Sequence, residues 1–330
     1  MTIELAPPPG RDLVIETRGL RRTFRSRRGT VVAVEGVDLA VAAGEIFGFL
    51  GPNGAGKTTT LRMLATLLPP TAGEARVAGC DLRHDAAGVR RRIGYVSQVG
   101  GSDRQVTARS ELVFQGRVHG LSKREAKERA GELLRVVELE DAADRRSGTY
   151  SGGQRRRLDV ALGLVHRPPL LFLDEPTTGL DPQSRAHLWE EVQRLRNQGV
   201  TVFLTTHYLE EADALCDRVA IIDHGQIVAA GTPASLKEEV AGDLVTLGVE
   251  GDATALLALL EAQPFVREAS EQEGTLRLYV DRGETAMPAI LRLVDAAGGA
   301  TIQTLSLTRP SLDDVFLRQT GRSLRDQAAA

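Results

Sequence analysis

The sequence predicts an α/β fold built on a parallel sheet, followed by a small α+β domain. The apolar run at residues 46–50 precedes a glycine-rich segment and then a helical pattern at 59–68, which is a strand–loop–helix succession. Two further apolar runs, 170–173 and 200–204, end in polar residues, as buried parallel strands do at the edge of their sheet. From residue 236 onward, strand and helix patterns follow the order βαββαβ, which is typical of a ferredoxin-like domain.

Length and composition allow two folded domains and indicate a cytoplasmic chain. The 330 residues are 42% hydrophobic, which is enough for two cores. No apolar run approaches the roughly 18 residues that would span a bilayer. Residues 1–12, interpreted as a disordered tail, lack the basic segment and apolar core of a secretory signal. We therefore expect the chain to stay in the cytoplasm, with Cys80 and Cys216 reduced.

The charge of the chain gives no indication of a nucleic-acid partner. Its net charge is −3 and its isoelectric point is about 6.1, so it lacks an overall basic footprint and no nucleic acid is expected as a partner. Clusters of arginine do occur, among them the run at 155–157. We interpret these clusters as solvated faces, and contact of some of them with anionic lipid is the alternative.

The segment at residues 51–58 has the pattern of a phosphate-binding loop. Its glycines allow the backbone to bend and to direct several N–H groups at phosphate oxygens, and the following helix adds its N-terminal dipole. Lys57 is placed to reach the β- and γ-phosphates, and Thr58 to ligate Mg²⁺. The alternative is a glycine-rich turn with a chance lysine. The nucleotide-binding residues predicted here are Gly51, Pro52, Asn53, Gly54, Ala55, Gly56, Lys57, Thr58 and Thr59.

Polar side chains follow two of the predicted strands. Asp174 and Glu175 come directly after the run at 170–173, where a parallel strand would deliver them to the nucleotide. Asp174 is expected to hold Mg²⁺, and Glu175 to orient the attacking water. Two acids that cap the next helix are the alternative. His207 follows the run at 200–204, where a surface or capping histidine is the ordinary interpretation.

A second helix start can bind an anion. Ser151 stands where an N-cap would, ahead of a helical pattern of apolar residues. Its hydroxyl and the N–H groups after it would form a second anion site. An ordinary helix cap is the alternative. The residues concerned are Ser151, Gly152, Gly153 and Gln154.

In this order, the glycine-rich segment, the serine-glycine-glycine turn and the paired acids resemble the motifs of an ATP-binding cassette (ABC) nucleotide-binding subunit. The resemblance implies a P-loop NTPase of the ABC ATPase type, with a RecA-like core, a strand-rich edge subdomain and a helical subdomain. It implies ATP and Mg²⁺ as cofactors, and a homodimer in which the P-loop of one subunit and the serine-glycine-glycine turn of the other enclose each ATP. It also makes His207 a sensor of the γ-phosphate.

Several further positions match the family less specifically. Gln98 matches a glutamine that senses Mg²⁺ or the lytic water, although residues 99–102 depart from the usual pattern. Asp181 matches the acid of the loop that crosses the dimer interface, and it would also serve as an ordinary helix cap. Phe24 either stacks on adenine or packs in the core. Tyr150 stands where the family usually has leucine.

The resemblance also sets the predicted domains. Residues 13–235 form the nucleotide-binding domain, with the helical subdomain at about 99–165, and residues 236–330 form a regulatory or dimerisation domain with a terminal tail. The segment 311–317, followed by 320–322, resembles the tail of ATPase subunits from daunorubicin- and doxorubicin-resistance exporters.

The expected function is ATP hydrolysis that drives efflux of a hydrophobic drug or antibiotic. The resemblance implies a separately encoded transmembrane permease in two copies, with this chain at the cytoplasmic face of the membrane. An importer ATPase shares every nucleotide motif and remains an alternative. A non-transport ABC ATPase that acts on ribosomes or DNA is a second alternative, although the chain has one cassette and no sustained heptads.

Overall fold

The computed structural model describes residue 10 and residues 12–26, 29–240, 242–272, 275–298 and 300–320. The predicted tails, 1–12 and the end of the chain after 320, lie largely outside the described residues. The chain divides into two compact units, the first ending at Thr232 and the second beginning at Pro233. None of the helices in the described part of the chain has the length and apolar character needed to cross a bilayer.

The first unit alternates strands and helices. In chain order its elements are β1 (Leu13–Ser26), β2 (Gly29–Ala42), β3 (Ile46–Leu50), α1 (Lys57–Leu64), β4 (Ala72–Val77), β5 (Cys80–Asp81), α2 (Ala86–Arg92), β6 (Ile93–Val96), α3 (Ala108–Val118), α4 (Lys123–Val136), α5 (Gly152–Gly163), β7 (Leu170–Asp174), α6 (Pro182–Asn197), β8 (Thr201–Thr206), α7 (Leu209–Leu215), β9 (Arg218–Asp223) and β10 (Gln226–Gly231).

A six-stranded sheet forms the centre of this unit. Its strand order is β10-β9-β3-β8-β7-β6, and all neighbours are parallel except β10, which runs antiparallel to β9 at the edge. Every residue of β3, β7 and β8 is buried, and the rings of Phe47, Phe172 and Phe203 pack together between these strands. Because parallel strands end at the same edge, the residues after β3, β6, β7 and β8 gather there. The predicted α/β class is confirmed.

Two further layers flank this sheet. An antiparallel sheet of order β2-β1-β4-β5 is the predicted strand-rich edge, and its apolar residues join those of the central sheet in one core. Helices α3, α4 and α5 lie between β6 and β7 in the chain. Helix α4 begins with a capping box, in which Ser122 and Glu125 each bond the other's backbone N–H, as the sequence predicted.

Helix α1 is shorter than predicted. The helical pattern suggested residues 59–68, but the helix begins at Lys57 and ends at Leu64. Thr66 adopts a left-handed backbone, and the N–H groups of Thr66 and Leu67 donate to the carbonyls of Met63 and Arg62. This is the closure of a Schellman motif, which satisfies the last carbonyls and ends the helix.

The second unit is a ferredoxin-like domain, as predicted. Its elements are α8 (Pro233–Val240), β11 (Asp243–Gly251), α9 (Ala253–Glu261), β12 (Val266–Gln272), β13 (Thr275–Val280), α10 (Gly283–Ala297), β14 (Ala300–Thr308) and α11 (Leu312–Thr320). The antiparallel sheet has the order β12-β13-β11-β14, and side chains from β11, β13, α9 and α10 form a separate core. The sequence did not predict α11, which buries Leu312, Val315 and Phe316.

Candidate active site

The glycine-rich loop between β3 and α1 is shaped by close backbone contacts. A Cβ atom on Gly51 would lie 2.2 Å from the carbonyl oxygen of Ile222 on β9. At Gly56 it would lie 2.6 Å from the carbonyl oxygen of Ala33, and Gly56 also has a φ of 108°, which favours glycine. The loop therefore packs directly on neighbouring backbone. The N–H groups of Gly51 and Ala55 donate to the carbonyls of Thr206 (3.3 Å) and Pro52 (3.2 Å), and a phosphate would meet the other N–H groups of the loop.

Lys57 is buried at the centre of this loop. Its Nζ atom donates to the carbonyl oxygens of Gly51 (2.7 Å) and Pro52 (3.0 Å), and it lies 3.3 Å from Oε1 of Glu175. Burial lowers the pKa of the Lys57 ammonium, while the charges of Glu175 and Asp174 act to raise it. A cation held in this way by two carbonyls and a carboxylate is suited to meet a phosphate.

The residues around Asp174 fit a magnesium ion. Its Oδ1 atom accepts hydrogen bonds from the hydroxyls of Thr58 (2.9 Å) and Thr205 (2.8 Å). Its Oδ2 atom is buried and accepts no hydrogen bond from any described residue. Mg²⁺ prefers carboxylate and hydroxyl oxygens and uses few protein ligands beside water and phosphate. Asp174 and Thr58 supply such oxygens side by side.

Glu175 is held in a strained backbone conformation. Its φ is 44°, in the left-handed region, which costs a non-glycine residue on the order of 1 kcal/mol or more. The Glu175 N–H donates to both the carbonyl (3.1 Å) and the hydroxyl (3.0 Å) of Thr205, which fixes this conformation. Strain of this kind, retained by the surrounding structure, is typical of functional sites.

Three side chains converge on the Glu175 carboxylate, two of them from the loops after β6 and β8 and one from its own loop. Its Oε2 atom accepts from Nε2 of Gln98 (2.9 Å) and from the hydroxyl of Thr178 (3.3 Å). Nδ1 of His207 lies 3.3 Å from the same oxygen, without the angles of a hydrogen bond. The structure therefore brings together Lys57, Gln98, Glu175 and His207, which the sequence predicted separately.

The carboxylate of Glu175 stays ionised in this environment. Burial acts to raise its pKa, but interaction with His207 and the charge of Lys57 outweigh burial, and the pKa falls to about 2. A buried, negatively charged oxygen next to the phosphate-binding loop can accept a hydrogen bond from water and orient it.

The serine-glycine-glycine turn caps α5. The Ser151 hydroxyl accepts from the Gln154 N–H (3.2 Å), and the Gln154 side chain accepts from the Ser151 N–H (3.1 Å). Ser151 and Gly152 are exposed at this helix start. The hydroxyl of the unusual Tyr150 donates to the carbonyl of Ala142 at 2.6 Å, so its buried ring satisfies its polar atom.

The loop that precedes α6 lies against this turn. Asp181 caps α6 by accepting from the N–H (2.9 Å) and hydroxyl (2.7 Å) of Ser184, and the bond from this N–H lowers the pKa of Asp181. A Cβ atom on Gly153 would lie 2.6 Å from the Ser184 hydroxyl oxygen. The Ser151 turn and the start of α6 thus form one surface, on which Asp181 is exposed.

Phe24 lies on β1 and is 39% exposed, so it is not the core residue that the sequence left as an alternative. The guanidinium of Arg22 covers the ring, with its carbon 4.7 Å from the ring centre. Adenine stacking by Phe24 stays a prediction.

Arg156 is a residue that the sequence analysis misjudged. The run 155–157 was interpreted as a solvated face, but Arg156 is only 6% exposed. It donates to the carbonyls of Pro176 (2.8 Å), Ser97 (2.6 Å) and Asp174 (3.1 Å), which offset the cost of its burial. Arg156 shares an inward face of α5 with Asp159, which is also buried, and neither charged residue carries a signal of burial in the sequence. Thr178 and Thr205, whose hydroxyls hold the acids, were also missed.

Comparisons with known proteins identify the families to which the two parts of the chain are similar. A model of the ABC transporter family matches residues 34–178, and a model of the DrrA1-3-like ATP-binding protein C-terminal domain matches residues 231–320. A dimeric ATP-binding cassette, solved in a post-hydrolysis state with ADP and phosphate, has a TM-score of 0.61 and 26% identity. It covers 66% of this chain, and the match spans 98% of that chain.

Relatives match along nearly the whole sequence. The daunorubicin/doxorubicin resistance ATP-binding protein DrrA of Streptomyces peucetius is 45% identical, over 95% of this chain and 94% of that protein. The Nod factor export ATP-binding protein I of a Rhizobium species is 41% identical over 94% and 98%, and the linearmycin resistance ATP-binding protein LnrL of Bacillus subtilis is 38% identical over 90% and 96%. The chain therefore belongs to the ATP-binding, ATP-hydrolysing subunits of ABC transporters, and it carries the C-terminal domain of the DrrA-like branch.

Proposed function

We propose that this protein is the ATPase subunit of an exporter, in which two copies close around two Mg·ATP and drive a separate membrane subunit that removes a hydrophobic drug or antibiotic. The observation that carries the proposal is the convergence of Lys57, Gln98, Glu175 and His207 at one edge of the central sheet. The printed names of the relatives, two for drug or antibiotic resistance and one for export, support the direction of transport over import.

The chemistry is transfer of the γ-phosphoryl group to water. The loop N–H groups and Lys57 bind the β- and γ-phosphates, and Thr58 and Asp174 would hold Mg²⁺. Mg²⁺, when bound, neutralises charge on those phosphates. Glu175 accepts a hydrogen bond from the attacking water, whose oxygen bonds to phosphorus as the bond to the ADP oxygen breaks. Gln98 fixes the carboxylate, and His207, 3.3 Å from the same carboxylate, would contact the γ-phosphate.

A second copy would complete each site. The exposed Ser151 and Gly152 begin α5, and a helix start with free N–H groups attracts a phosphate. Asp181 is exposed on the same surface, where it would face the partner. Because one chain carries every motif, a homodimer with two equal sites is the simplest assembly. ATP then favours the closed dimer by contacts that hydrolysis removes, and this difference drives the membrane subunit.

Substitutions of the site residues test the ATPase part of the proposal. We expect Glu175→Gln to bind ATP and dimerise in Mg·ATP, while turnover falls by about 100-fold or more because the water loses its negatively charged acceptor. Lys57→Ala should weaken ATP binding by about 10-fold or more through loss of a charge-assisted contact. Glu190→Gln, an exposed carboxylate on α6, is the matched control. Turnover of Glu175→Gln at the control's rate would remove Glu175 from this role.

The transport part is tested in cells. Tagged Glu175→Gln should co-purify from native membranes in Mg·ATP with a polytopic membrane protein. That protein would hold this chain at the cytoplasmic face of the membrane. Cells that express both proteins should accumulate less daunorubicin than cells that express the membrane protein with Lys57→Ala. Equal accumulation of daunorubicin and of a panel of hydrophobic antibiotics would contradict export, and recovery of ribosomes or DNA alone would favour a non-transport role.

A further inference from the structure

One side chain on α5 is bonded to the residue before Gln98 and to the residues on both sides of Glu175. Arg156 donates to the carbonyl of Ser97, which directly precedes Gln98, at 2.6 Å. It also donates to the carbonyls of Asp174 (3.1 Å) and Pro176 (2.8 Å), which flank Glu175. A single buried guanidinium thus joins α5 to the ends of β6 and β7, where the glutamine and the glutamate are presented.

The same helix holds the far end of the glutamine loop. Oδ1 of Asp159 accepts from the N–H groups of Gly101 and Ser102, each at 3.0 Å. Within the loop, the Ser97 hydroxyl donates to the carbonyl of Gly100 at 2.9 Å. Residues three apart in a helix share a face, so Arg156 and Asp159 face the loop together. The loop that carries Gln98 is therefore attached to α5 at both ends.

Arginine is chemically suited to this position. A planar guanidinium offers five donors spread over three nitrogens in a fixed fork, whereas a lysine has its three donors on one nitrogen and a glutamine amide has only two. Burial lowers the pKa of Arg156, and the charges of Asp159 and Asp174 oppose this. A buried charge that is bonded to three carbonyls in this way resists displacement, because loss of these acceptors leaves it uncompensated.

We propose that Arg156 is a positioning residue that couples the helix beginning at Ser151 to Gln98 and Glu175 of the same chain. The inference rests on the proposed two-nucleotide dimer, in which the Ser151 turn contacts the nucleotide bound by the partner. Movement of α5 when that nucleotide binds shifts the ends of β6 and β7 through Arg156. Nucleotide at one site thereby adjusts the water-orienting carboxylate of the other, and the two sites hydrolyse cooperatively.

The test compares full-length Arg156→Gln and Arg156→Lys with a matched control. Arg129→Gln on α4 is suitable, because Arg129 is also a largely buried arginine that donates to backbone carbonyls, those of Leu164 (2.8 Å) and Val165 (3.2 Å). ATPase rates are measured across ATP concentrations, and ATP affinity is measured in the Glu175→Gln background. Thermal unfolding of each variant reports on folding.

We expect Arg156→Gln to lower kcat by about 10- to 100-fold, as small misplacements of reacting groups do. Its ATP affinity should stay within about threefold, and its Hill coefficient should fall towards one, since the sites no longer communicate. Arg156→Lys should recover part of kcat because it keeps the charge. Arg129→Gln should change none of these quantities. A merely structural role would lower thermal stability without altering the Hill coefficient.

A folded Arg156→Gln variant with wild-type kcat and Hill coefficient would overturn the proposal. If that variant does not fold, Asp159→Ala is judged by the same criteria, because it removes the oxygen that accepts from Gly101 and Ser102 and so releases the other end of the loop. Failure of the dimer itself is recognised separately: the wild type would then show no dimer in Mg·ATP and a Hill coefficient of one. In that case an unchanged kcat in Arg156→Gln still refutes positioning within the chain.

Discussion

At the scale of single residues, Glu191 on α6 is a carboxyl group whose charged form is disfavoured by burial in the folded protein. Its side chain is 2% exposed, and neither carboxylate oxygen has a hydrogen-bond partner among the described residues. Burial raises its pKa to about 7; Arg157 and Arg194 oppose this, whereas Glu138 adds to it. The folded protein therefore holds this proton near neutral pH, whereas the unfolded chain releases it near the ordinary value of 4.5.

This difference predicts a pH dependence of stability. Glu191 favours the folded state fully below pH about 4.5, and this contribution is lost as the pH rises through about 7, because the unfolded state binds fewer protons over that window. Above it, the buried charge costs on the order of 2 to 3 kcal/mol. Glu191→Gln should therefore be more stable than the wild type at pH 8, with a gap that shrinks towards pH 5.

Urea unfolding from pH 5 to 8 measures the effect. The exposed Glu128→Gln on α4 is the control, because that side chain stays in water in both states and is not among the charges that act on Glu191, so it should keep the wild-type slope. If the free energy of unfolding depended on pH in the same way in Glu191→Gln and in the wild type, the raised pKa of Glu191 could not be the cause of the pH dependence.

At the scale of elements, two glycines of the loop between β3 and α1 are required for different reasons, Gly51 for lack of space and Gly54 for its backbone conformation. A Cβ on Gly51 would meet the backbone of Ile222 on β9 at 2.2 Å, so substitution must displace the loop. Gly54 has open space around it but a φ of 81°. Overpacking against backbone costs about 1 to 3 kcal/mol, and a left-handed alanine costs about 1 kcal/mol. Gly51→Ala should therefore destabilise the protein more than Gly54→Ala.

The measurement is thermal unfolding without nucleotide, so that phosphate binding does not contribute. Gly79→Ala, which also has positive φ and open space, tests whether the cost at Gly54 is conformational. A larger loss of stability in Gly54→Ala than in Gly51→Ala would show that the contact with Ile222 relaxes easily.

Elements with local signals were predicted from sequence, and those that depend on distant partners were not. The capping box at Ser122 and the N-cap at Ser151 are determined by side chains within three residues. The sequence also placed Glu175 at a strand end, which follows from the pattern of β7 alone. Its left-handed backbone depends on Thr205, in another strand, and the burial of Arg156 on carbonyls far along the chain. No periodicity records such contacts.

At the scale of the whole molecule, each unit has its own core, but the predicted site lies in only one of the two units. The predicted nucleotide-binding and catalytic residues, from Phe24 to His207, all lie in the first unit. The second unit has its own core, to which the sheet contributes apolar side chains such as Val245 and Leu278 and the helices contribute others such as Ile290. A regulatory or dimerisation role for the second unit stays a prediction. Because this unit has a separate core, the role can be tested by a truncated chain that lacks the unit.

Because each unit buries a core of its own, residues 1–232 should fold and bind ATP without the rest of the chain. Trp189, the single tryptophan, lies in this unit, so its fluorescence reports unfolding of the fragment and of the same unit in the full chain. We expect ATP affinity within about threefold of the full-length value, since no site residue is removed. A fragment ending at residue 216 is the control, because it lacks β9, the parallel neighbour of β3, together with the buried Ala220 and Ile222. That control should fail to fold, and an insoluble 1–232 fragment would show that the two cores are not independent.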